Sequence, residues 1–223
     1  MNLRDKIVVM GDVHGDMGRV NKFVSRKHPA IILQTGDMGY WPRARRHRHS
    51  RVPELKIPEG TKLYWCDGNH EDHQELVKRD TDEFWPRSYY MDRGKTLTLP
   101  DGRVVLFMGG ALSIDRHLRI PECGDYGYFM REQVRECDVM DLDIDRVDVV
   151  ISHTCPKEFD VPMRYEYNDS SRLALSYILH EHRPKQWFCG HWHHFCKGKY
   201  LDCEWTAMGR FDAPGHGGWL ELC

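Results

Sequence analysis

Long apolar runs are absent from this sequence. No stretch of its 223 residues approaches the roughly 18 consecutive apolar residues that a membrane-spanning helix needs. Residues 1–6 lead directly into a short apolar run and show no export signal. We therefore expect a cytoplasmic protein that does not associate with a membrane.

Paired cysteines and a strong net charge are also missing. None of the eight cysteines stands in a Cys-x-x-Cys arrangement, and we expect free thiols. A net charge of -2 gives no overall attraction to nucleic acid. Apolar residues make up 40% and charged residues 30%, which is typical of a globular protein, and we expect one domain over residues 1–223.

Short apolar runs alternate with segments of helical spacing. Runs of the buried type predict strands at residues 6–10, 30–34, 62–66, 147–152 and 186–189. Helical spacing predicts helices at 16–27, 72–79 and 170–181. Shorter strands are expected at 96–99 and 104–108, joined by an Asp-Gly turn, and at 199–205 and 218–221. Residues 109–129 lack a clean period and are interpreted as a long surface loop.

The sequence is unusually rich in histidine, with 14 residues, and several of them follow predicted strands. Five predicted strands end in loops with side chains that can bind a metal ion. These side chains are Asp12, His14, Asp37, Asn69, His153, His191 and His193. The carboxyl ends of strands in an open α/β sheet meet at one crevice. Seven ligands exceed the three or four that one zinc ion needs, so two ions sharing Asp37 as a bridge are the economical arrangement.

The five motifs, taken in order, resemble those of the calcineurin-like metallophosphoesterases. They are Gly-Asp-Val-His-Gly (11–15), Gly-Asp-Met-Gly (36–39), Gly-Asn-His-Glu (68–71), Ser-His (152–153) and Gly-His-Trp-His (190–193). The resemblance implies an α/β fold, a four-layer αββα sandwich in which two mixed β-sheets are flanked by helices. It also implies that Asp12, His14, Asp37 and His193 hold one ion. The second ion would be held by Asp37, Asn69, His153 and His191.

The predicted ligands suggest a cofactor and a mechanism. Mixed Asp, Asn and His ligation suits two divalent ions, with manganese as our first choice and iron, zinc or nickel as alternatives. Such a pair can lower the pKa of a shared water, and the resulting hydroxide attacks phosphorus in line. His70, beside the ligand Asn69, is the candidate general acid for the leaving oxygen. We therefore expect Asp37 and His70 to be the catalytic residues.

One departure from the family bears on the substrate. Serine/threonine phosphatases of this superfamily carry Asp-Arg-Gly after the second motif, whereas this chain has Tyr40, Trp41 and Pro42. The Asp that orients the catalytic His and the Arg that grips phosphate are thus missing. We favour phosphodiesters of small nucleotide type as substrates, including cyclic nucleotides, with a serine/threonine-type or broad phosphomonoesterase as the alternative.

Substrate contacts are sought in three other segments. The basic run of residues 43–51 offers Arg43 and Arg45, although a solvated charged loop explains it equally well. Gly109 to Arg116 resembles a segment of many small members of the superfamily, and Arg116 could grip a phosphate or pair with Asp115. Tyr165 could stack on a base if residues 162–171 form a lid.

Two further functions stay open at this point. A nuclease would use the basic run, but 223 residues leave little surface for a polymer, so nucleic acid is not the favoured partner. A non-catalytic scaffold of the same fold has no need for the full ligand set. We therefore expect a small phosphoester as the partner of this site, and the sequence does not reveal the oligomeric state.

Overall fold

Two six-stranded mixed sheets form the centre of the computed structural model, which describes residues 3, 5–43, 54–121, 127–162, 169–211 and 217–223. The described strands are β1 (Ile7–Met10), β2 (Ile31–Gln34), β3 (Lys62–Trp65), β4 (Glu83–Trp85), β5 (Ser88–Tyr90), β6 (Thr96–Thr98), β7 (Val104–Met108), β8 (Val149–Ser152), β9 (Gln186–Cys189), β10 (Cys196–Tyr200), β11 (Cys203–Ala207) and β12 (Trp219–Glu221). The described α-helices are α1 (Met17–Lys27), α2 (His73–Leu76), α3 (Cys137–Met140) and α4 (Ser170–His182). Short 3-10 turns occur at Arg116–Leu118 and Met130–Glu132.

The two sheets share one design. The first sheet has the order β12-β1-β2-β3-β5-β4, and the second has the order β10-β11-β9-β8-β7-β6. In each sheet the four central strands run parallel, and an antiparallel strand closes each edge. Parallel strands place their carboxyl ends on the same edge, which is where the polar loops of the motifs follow.

A long helix covers the outer face of each sheet. Val20 and Val24 of α1 pack with Ile32 of the first sheet. Ile178 of α4 packs in the same way with Trp187 of the second sheet. Both strands and helices therefore bury apolar side chains on these faces, which removes them from water.

The inner faces of the sheets pack against each other. Val9 and Leu33 of the first sheet lie in one buried cluster with Val105, Phe107 and Val149 of the second sheet. Successive side chains of a strand point to opposite faces, so these strands are apolar on both sides. The layers run helix, sheet, sheet, helix, and the predicted αββα sandwich is confirmed.

The helix ends follow from local chemistry. The Asp16 carboxylate accepts a hydrogen bond from the Arg19 N–H at 2.9 Å and caps the start of α1. The Asp169 carboxylate accepts from two backbone N–H groups and caps α4 in the same way. Helix α1 ends at Lys27, because the following residue His28 has a left-handed φ of 50° that stops further helical hydrogen bonding.

Some elements differ from their sequence prediction. The strand expected at 199–205 is instead a hairpin, in which Tyr200 pairs with Cys203 around a tight turn. Leu201 takes a left-handed φ of 50° in this turn, a position where sequence rules expect glycine or asparagine. The helix expected at 72–79 is only the single turn of α2. Strands β4 and β5 have three residues each, too few to show a period in the sequence.

Two further observations concern the membrane and the thiols. None of the helices in the described ranges is long and apolar enough to cross a bilayer. The cysteines within those ranges, among them the buried Cys66, Cys155 and Cys189, are free thiols.

Candidate metal centre

The polar loops of both sheets meet at one place. Loops after β1, β2 and β3 of the first sheet carry four of the predicted ligands, and loops after β8 and β9 of the second sheet carry the other three. The contacts below connect all seven side chains into one cluster. The structure therefore brings together residues that are up to 181 positions apart in the sequence.

One half of the cluster consists of Asp12, His14, Asp37 and His193. Each offers one ligand atom, and these atoms all lie within 4.8 Å of one another. Nε2 of His193 lies 2.9 Å from Nε2 of His14 and 3.0 Å from Oδ2 of Asp12. The His193 side chain is 39% exposed, so this half faces solvent and can be reached by a small molecule.

The other half is centred on the Asn69 amide oxygen. Oδ1 of Asn69 lies 3.0 Å from Nε2 of His153 and 3.0 Å from Nδ1 of His191. Oδ1 of Asp37 lies 3.3 Å from the same His153 nitrogen, while Oδ2 of Asp37 lies 3.6 Å from Nε2 of His14. Asp37 thus directs one oxygen toward each half of the cluster, which is the geometry that a bridging carboxylate requires.

The donors and acceptors at His153 fit a cation. The Thr35 carbonyl can only accept, so the His153 Nδ1 that lies 2.8 Å from it carries a proton. In a neutral imidazole, Nε2 then presents a lone pair toward Asn69 Oδ1 and Asp37 Oδ1, which are acceptors as well. Lone pairs that converge without a proton between them repel one another, and a positive charge between them removes this repulsion. The residues present therefore suit a metal ion.

The electrostatics of Asp37 and His153 support the same conclusion. Burial raises the pKa of a carboxyl group, but His153, His70 and His14 hold the pKa of Asp37 well below its usual value. Burial lowers the pKa of His153, yet the Asp37 carboxylate more than offsets this effect and raises it to about 10. The cluster thus strongly favours a cation at its centre, whether a proton or a metal ion.

Several ligand loops have unusual backbone conformations. His14, Asp37, His191 and His193 have φ values of 49°, 54°, 67° and 54°. A left-handed conformation costs a residue other than glycine on the order of 1 kcal/mol, and such conformations are concentrated at functional sites. These turns allow the chain to reverse directly after a strand while its side chain points into the cluster.

Two glycines make room for the carboxylates. A Cβ atom added at Gly68 would lie 2.0 Å from Oδ1 of Asp37. A Cβ atom added at Gly190 would lie 2.1 Å from Oδ1 of Asp12. Both distances are far shorter than a van der Waals contact, so these motif positions have space only for a hydrogen.

Glu71 is a buried residue beside the cluster, and the sequence pattern assigned it no role. Its buried carboxylate accepts hydrogen bonds from Gly39 N–H at 3.0 Å and from Gly68 N–H at 2.7 Å. These two glycines belong to the loops that carry Asp37 and Asn69, so Glu71 fixes one loop against the other. Its place beside His70 in the third motif is the signal that could have identified it.

His70 lies beside the cluster rather than within it. Its backbone N–H donates to Oδ1 of Asp37 at 2.9 Å, and its backbone carbonyl accepts from the indole N–H of Trp41 at 2.8 Å. Its ring centroid lies 5.5 Å from that of His14. Burial lowers the pKa of His70, which makes its protonated form a stronger acid and reduces the protonated fraction at pH 7.

The predicted substrate contacts are placed differently from the ligands. The Arg43 guanidinium donates to both carboxylate oxygens of Asp72 and to Gln74, so it is hydrogen-bonded within the protein. Arg116 is exposed and donates to the Ser113 carbonyl at 3.1 Å. Arg45 and Tyr165 lie outside the described residues.

Comparison with known proteins agrees with this geometry. The sequence profile of the family described as calcineurin-like phosphoesterase matches residues 5–195, and the chain belongs to this family. No curated protein sequence matches it.

Solved structures show the same fold. The crystal structure of TT1561 of Thermus thermophilus is 11% identical with a TM-score of 0.59, and the match covers 91% of this chain and 88% of that chain. A second crystal structure is 14% identical with a TM-score of 0.63, and the match covers 97% of this chain and 95% of that chain. At such identities the likeness concerns the fold alone.

Proposed function

We propose that this member of the calcineurin-like phosphoesterase family is a dinuclear metal-dependent phosphoester hydrolase. The observation that carries the proposal is the position of Asp37, whose two carboxylate oxygens face separate groups of potential ligands. Its preferred substrates in this proposal are small phosphodiesters of nucleotide type, including cyclic nucleotides. A single domain and a cytoplasmic location remain predictions.

The donor set divides between two ions. Asp12, His14, Asp37 and His193 would hold one ion, and Asp37, Asn69, His153 and His191 would hold the other. When bound, two divalent ions supply positive charge that orients a phosphoester and makes a water molecule more acidic. Oxygen and imidazole donors suit manganese, our first choice, as well as iron, zinc and nickel.

The chain's own residues would handle the leaving group. His70 is suited to donate a proton to the departing oxygen, since its imidazole lies at the edge of the cluster and its backbone is held from both sides by Asp37 and Trp41. The partial exposure of His193 gives a substrate access to the same region. Proton donation matters most when the leaving group is a poor one.

The substrate preference rests on the residues that stand where serine/threonine phosphatases of this superfamily carry Asp-Arg-Gly. Trp41 anchors the backbone of His70 instead of orienting its imidazole through a carboxylate. Arg43 is paired with Asp72, whereas Arg116 is exposed and donates only to the Ser113 carbonyl among the contacts described above. Within the described ranges neither of these two arginines is fixed toward the cluster, which suits a phosphodiester because it carries one charge fewer than a monoester dianion.

The test is hydrolysis of a substrate panel with added Mn²⁺. The panel consists of a nitrophenyl monoester, a nitrophenyl diester, 2',3'- and 3',5'-cyclic nucleotides, a phosphopeptide and an oligonucleotide. We expect the diesters to be turned over fastest, and a chelator to stop the reaction. Asp37→Ala should abolish turnover of every substrate, whereas Asp101→Ala, in an exposed hairpin turn, should leave it unchanged.

Each other outcome has a defined meaning. Fastest turnover of the monoester or the phosphopeptide would replace the diester preference with a phosphomonoesterase activity. Turnover of the oligonucleotide alone would identify a nuclease. A protein that binds Mn²⁺ poorly and hydrolyses nothing would be a scaffold, and the proposed function would be wrong.

A further inference from the structure

A buried polar chain lies behind the ligand Asn69. The amide N–H of Asn69 donates to the Ser113 hydroxyl at 2.9 Å, and that hydroxyl donates to the Glu132 carboxylate. Ser113 and Glu132 are fully buried. Ser113 lies in the loop after β7, and Glu132 lies in the 3-10 turn Met130–Glu132. The segment from Gly109 to Arg116, noted in the sequence for its Arg116, therefore contacts the cluster through Ser113.

The contacts of Glu132 fix the direction of these hydrogen bonds. Its Oε1 accepts from the Phe129 N–H at 3.0 Å, and its Oε2 accepts from the Arg119 guanidinium at 2.7 Å. An ionised carboxylate can only accept, so the single hydroxyl proton of Ser113 must point toward Glu132. The lone pairs of the hydroxyl are then left for the Asn69 amide.

The direction of the Ser113 hydroxyl proton determines which end of the Asn69 side-chain amide can face Ser113. An Asn side chain has nearly the same shape after a 180° flip, so its orientation depends on its hydrogen-bond partners. A flipped Asn69 would set its oxygen against the Ser113 lone pairs and its NH2 group against His153 and His191. Only the unflipped amide directs an oxygen, which can bind a metal ion, into the cluster.

We infer that Ser113, Glu132 and Arg119 are positioning residues that hold the Asn69 oxygen toward the metal centre. The inference rests on the proposed two-metal function. Arg119 also donates to the Asn69 carbonyl at 3.4 Å and to the Gly127 carbonyl at 3.0 Å, so the same side chain secures the backbone of the ligand loop. Asn69 is thus held through both its side chain and its main chain.

The test measures metal binding instead of turnover. Metal-free wild-type protein and Ser113→Ala are titrated with Mn²⁺ by calorimetry at pH 8, because burial raises the pKa of Glu132 to about 7 and the carboxyl is ionised at the higher pH. We expect the wild type to bind two ions. In Ser113→Ala the affinity for one of them should fall by about tenfold or more, with the other unchanged.

Matched variants separate orientation from packing. Ser176→Ala also removes a buried hydroxyl, which accepts from the Lys157 N–H and donates toward the Glu158 carboxylate, and should bind Mn²⁺ as the wild type does. Glu132→Met removes the acceptor toward which the Ser113 proton points and should weaken the same Mn²⁺ site. Thermal unfolding of each metal-free variant establishes that it is folded.

A change at Asn69 itself decides the mechanism. A carboxylate has two equivalent oxygens and needs no orientation, so Ser113→Ala should alter Mn²⁺ affinity by no more than about twofold when combined with Asn69→Asp. An equal loss in both backgrounds, or no loss in Ser113→Ala alone, would overturn the inference. A wild-type protein that binds no Mn²⁺ would instead reject the two-metal function, and the inference with it.

Discussion

Replacement of Gly190 by alanine would place a methyl group in the space that the Asp12 carboxylate occupies. The added Cβ would lie 2.1 Å from Oδ1 of Asp12, and this distance must widen to at least 3.4 Å for an ordinary contact, a displacement of about 1.3 Å. Thr35 blocks the other direction, with its hydroxyl and carbonyl oxygens 2.9 Å and 3.0 Å from the new atom. The Asp12 carboxylate or the His191 loop must therefore move.

The size of this movement sets the expected loss of metal affinity. Metal–ligand distances tolerate only about 0.2 Å, so a shift several times larger removes Asp12 as an effective ligand. We expect Gly190→Ala to weaken Mn²⁺ binding by on the order of 100-fold, which corresponds to about 2.7 kcal/mol. Overpacking should also lower the free energy of unfolding of the metal-free protein by about 1–3 kcal/mol.

A second glycine provides the matched control. A Cβ atom added at Gly198, on strand β10, would lie 2.3 Å from the Trp205 ring, which belongs to the core beneath α4. Gly198→Ala should therefore lose similar stability without losing metal affinity. Calorimetric Mn²⁺ titration and thermal unfolding, with and without the ion, measure both quantities. Wild-type Mn²⁺ affinity in a folded Gly190→Ala protein would refute the reasoning.

Two further predictions concern histidines. His70→Ala should slow diesters with alkoxide leaving groups by about 100-fold or more while nitrophenyl esters change little, and equal slowing on both would rule out His70 as the acid. Burial holds the pKa of His73 at about 4, against an ordinary value of 6.5. The unfolded chain binds a proton at His73 more readily than the folded protein does. Neutral His73 therefore contributes fully to the stability of the folded protein above pH 6.5, and this contribution is lost as the pH falls through 4. Denaturant unfolding between pH 7 and pH 4.5 should show that the free energy of unfolding falls by up to about 3 kcal/mol because of this residue. In His73→Gln the free energy of unfolding should depend correspondingly less on pH.

The position of the ligands could be predicted because it follows from local rules. Each ligand stands one to four residues after a short apolar strand, and parallel strands bring such positions to one edge. The residue types then favour the binding of a metal ion. The αββα layering could be predicted from the resemblance, and the strands that are apolar on both faces agree with it.

The supporting contacts could not be predicted in this way. Arg43 and Asp72 are 29 positions apart, and Ser113 and Glu132 are 19 apart, with no periodic pattern that connects either pair. The pairing of Arg43 with Asp72 therefore could not be predicted from the position of Arg43 in the sequence. The hairpin at Leu201 was missed because its turn lacks the glycine or asparagine by which such turns are identified.

Neither sheet contains the whole set of predicted ligands. Asp12, His14, Asp37 and Asn69 follow strands of the first sheet, while His153, His191 and His193 follow strands of the second. Ions held by both groups would cross-link the two halves of the sandwich at the open edge of their shared core. Folding and metal supply are then coupled, because metal at 100 times its dissociation constant stabilises the protein by about 2.7 kcal/mol. A cell short of the metal would lose resistance to unfolding and proteolysis together with catalysis.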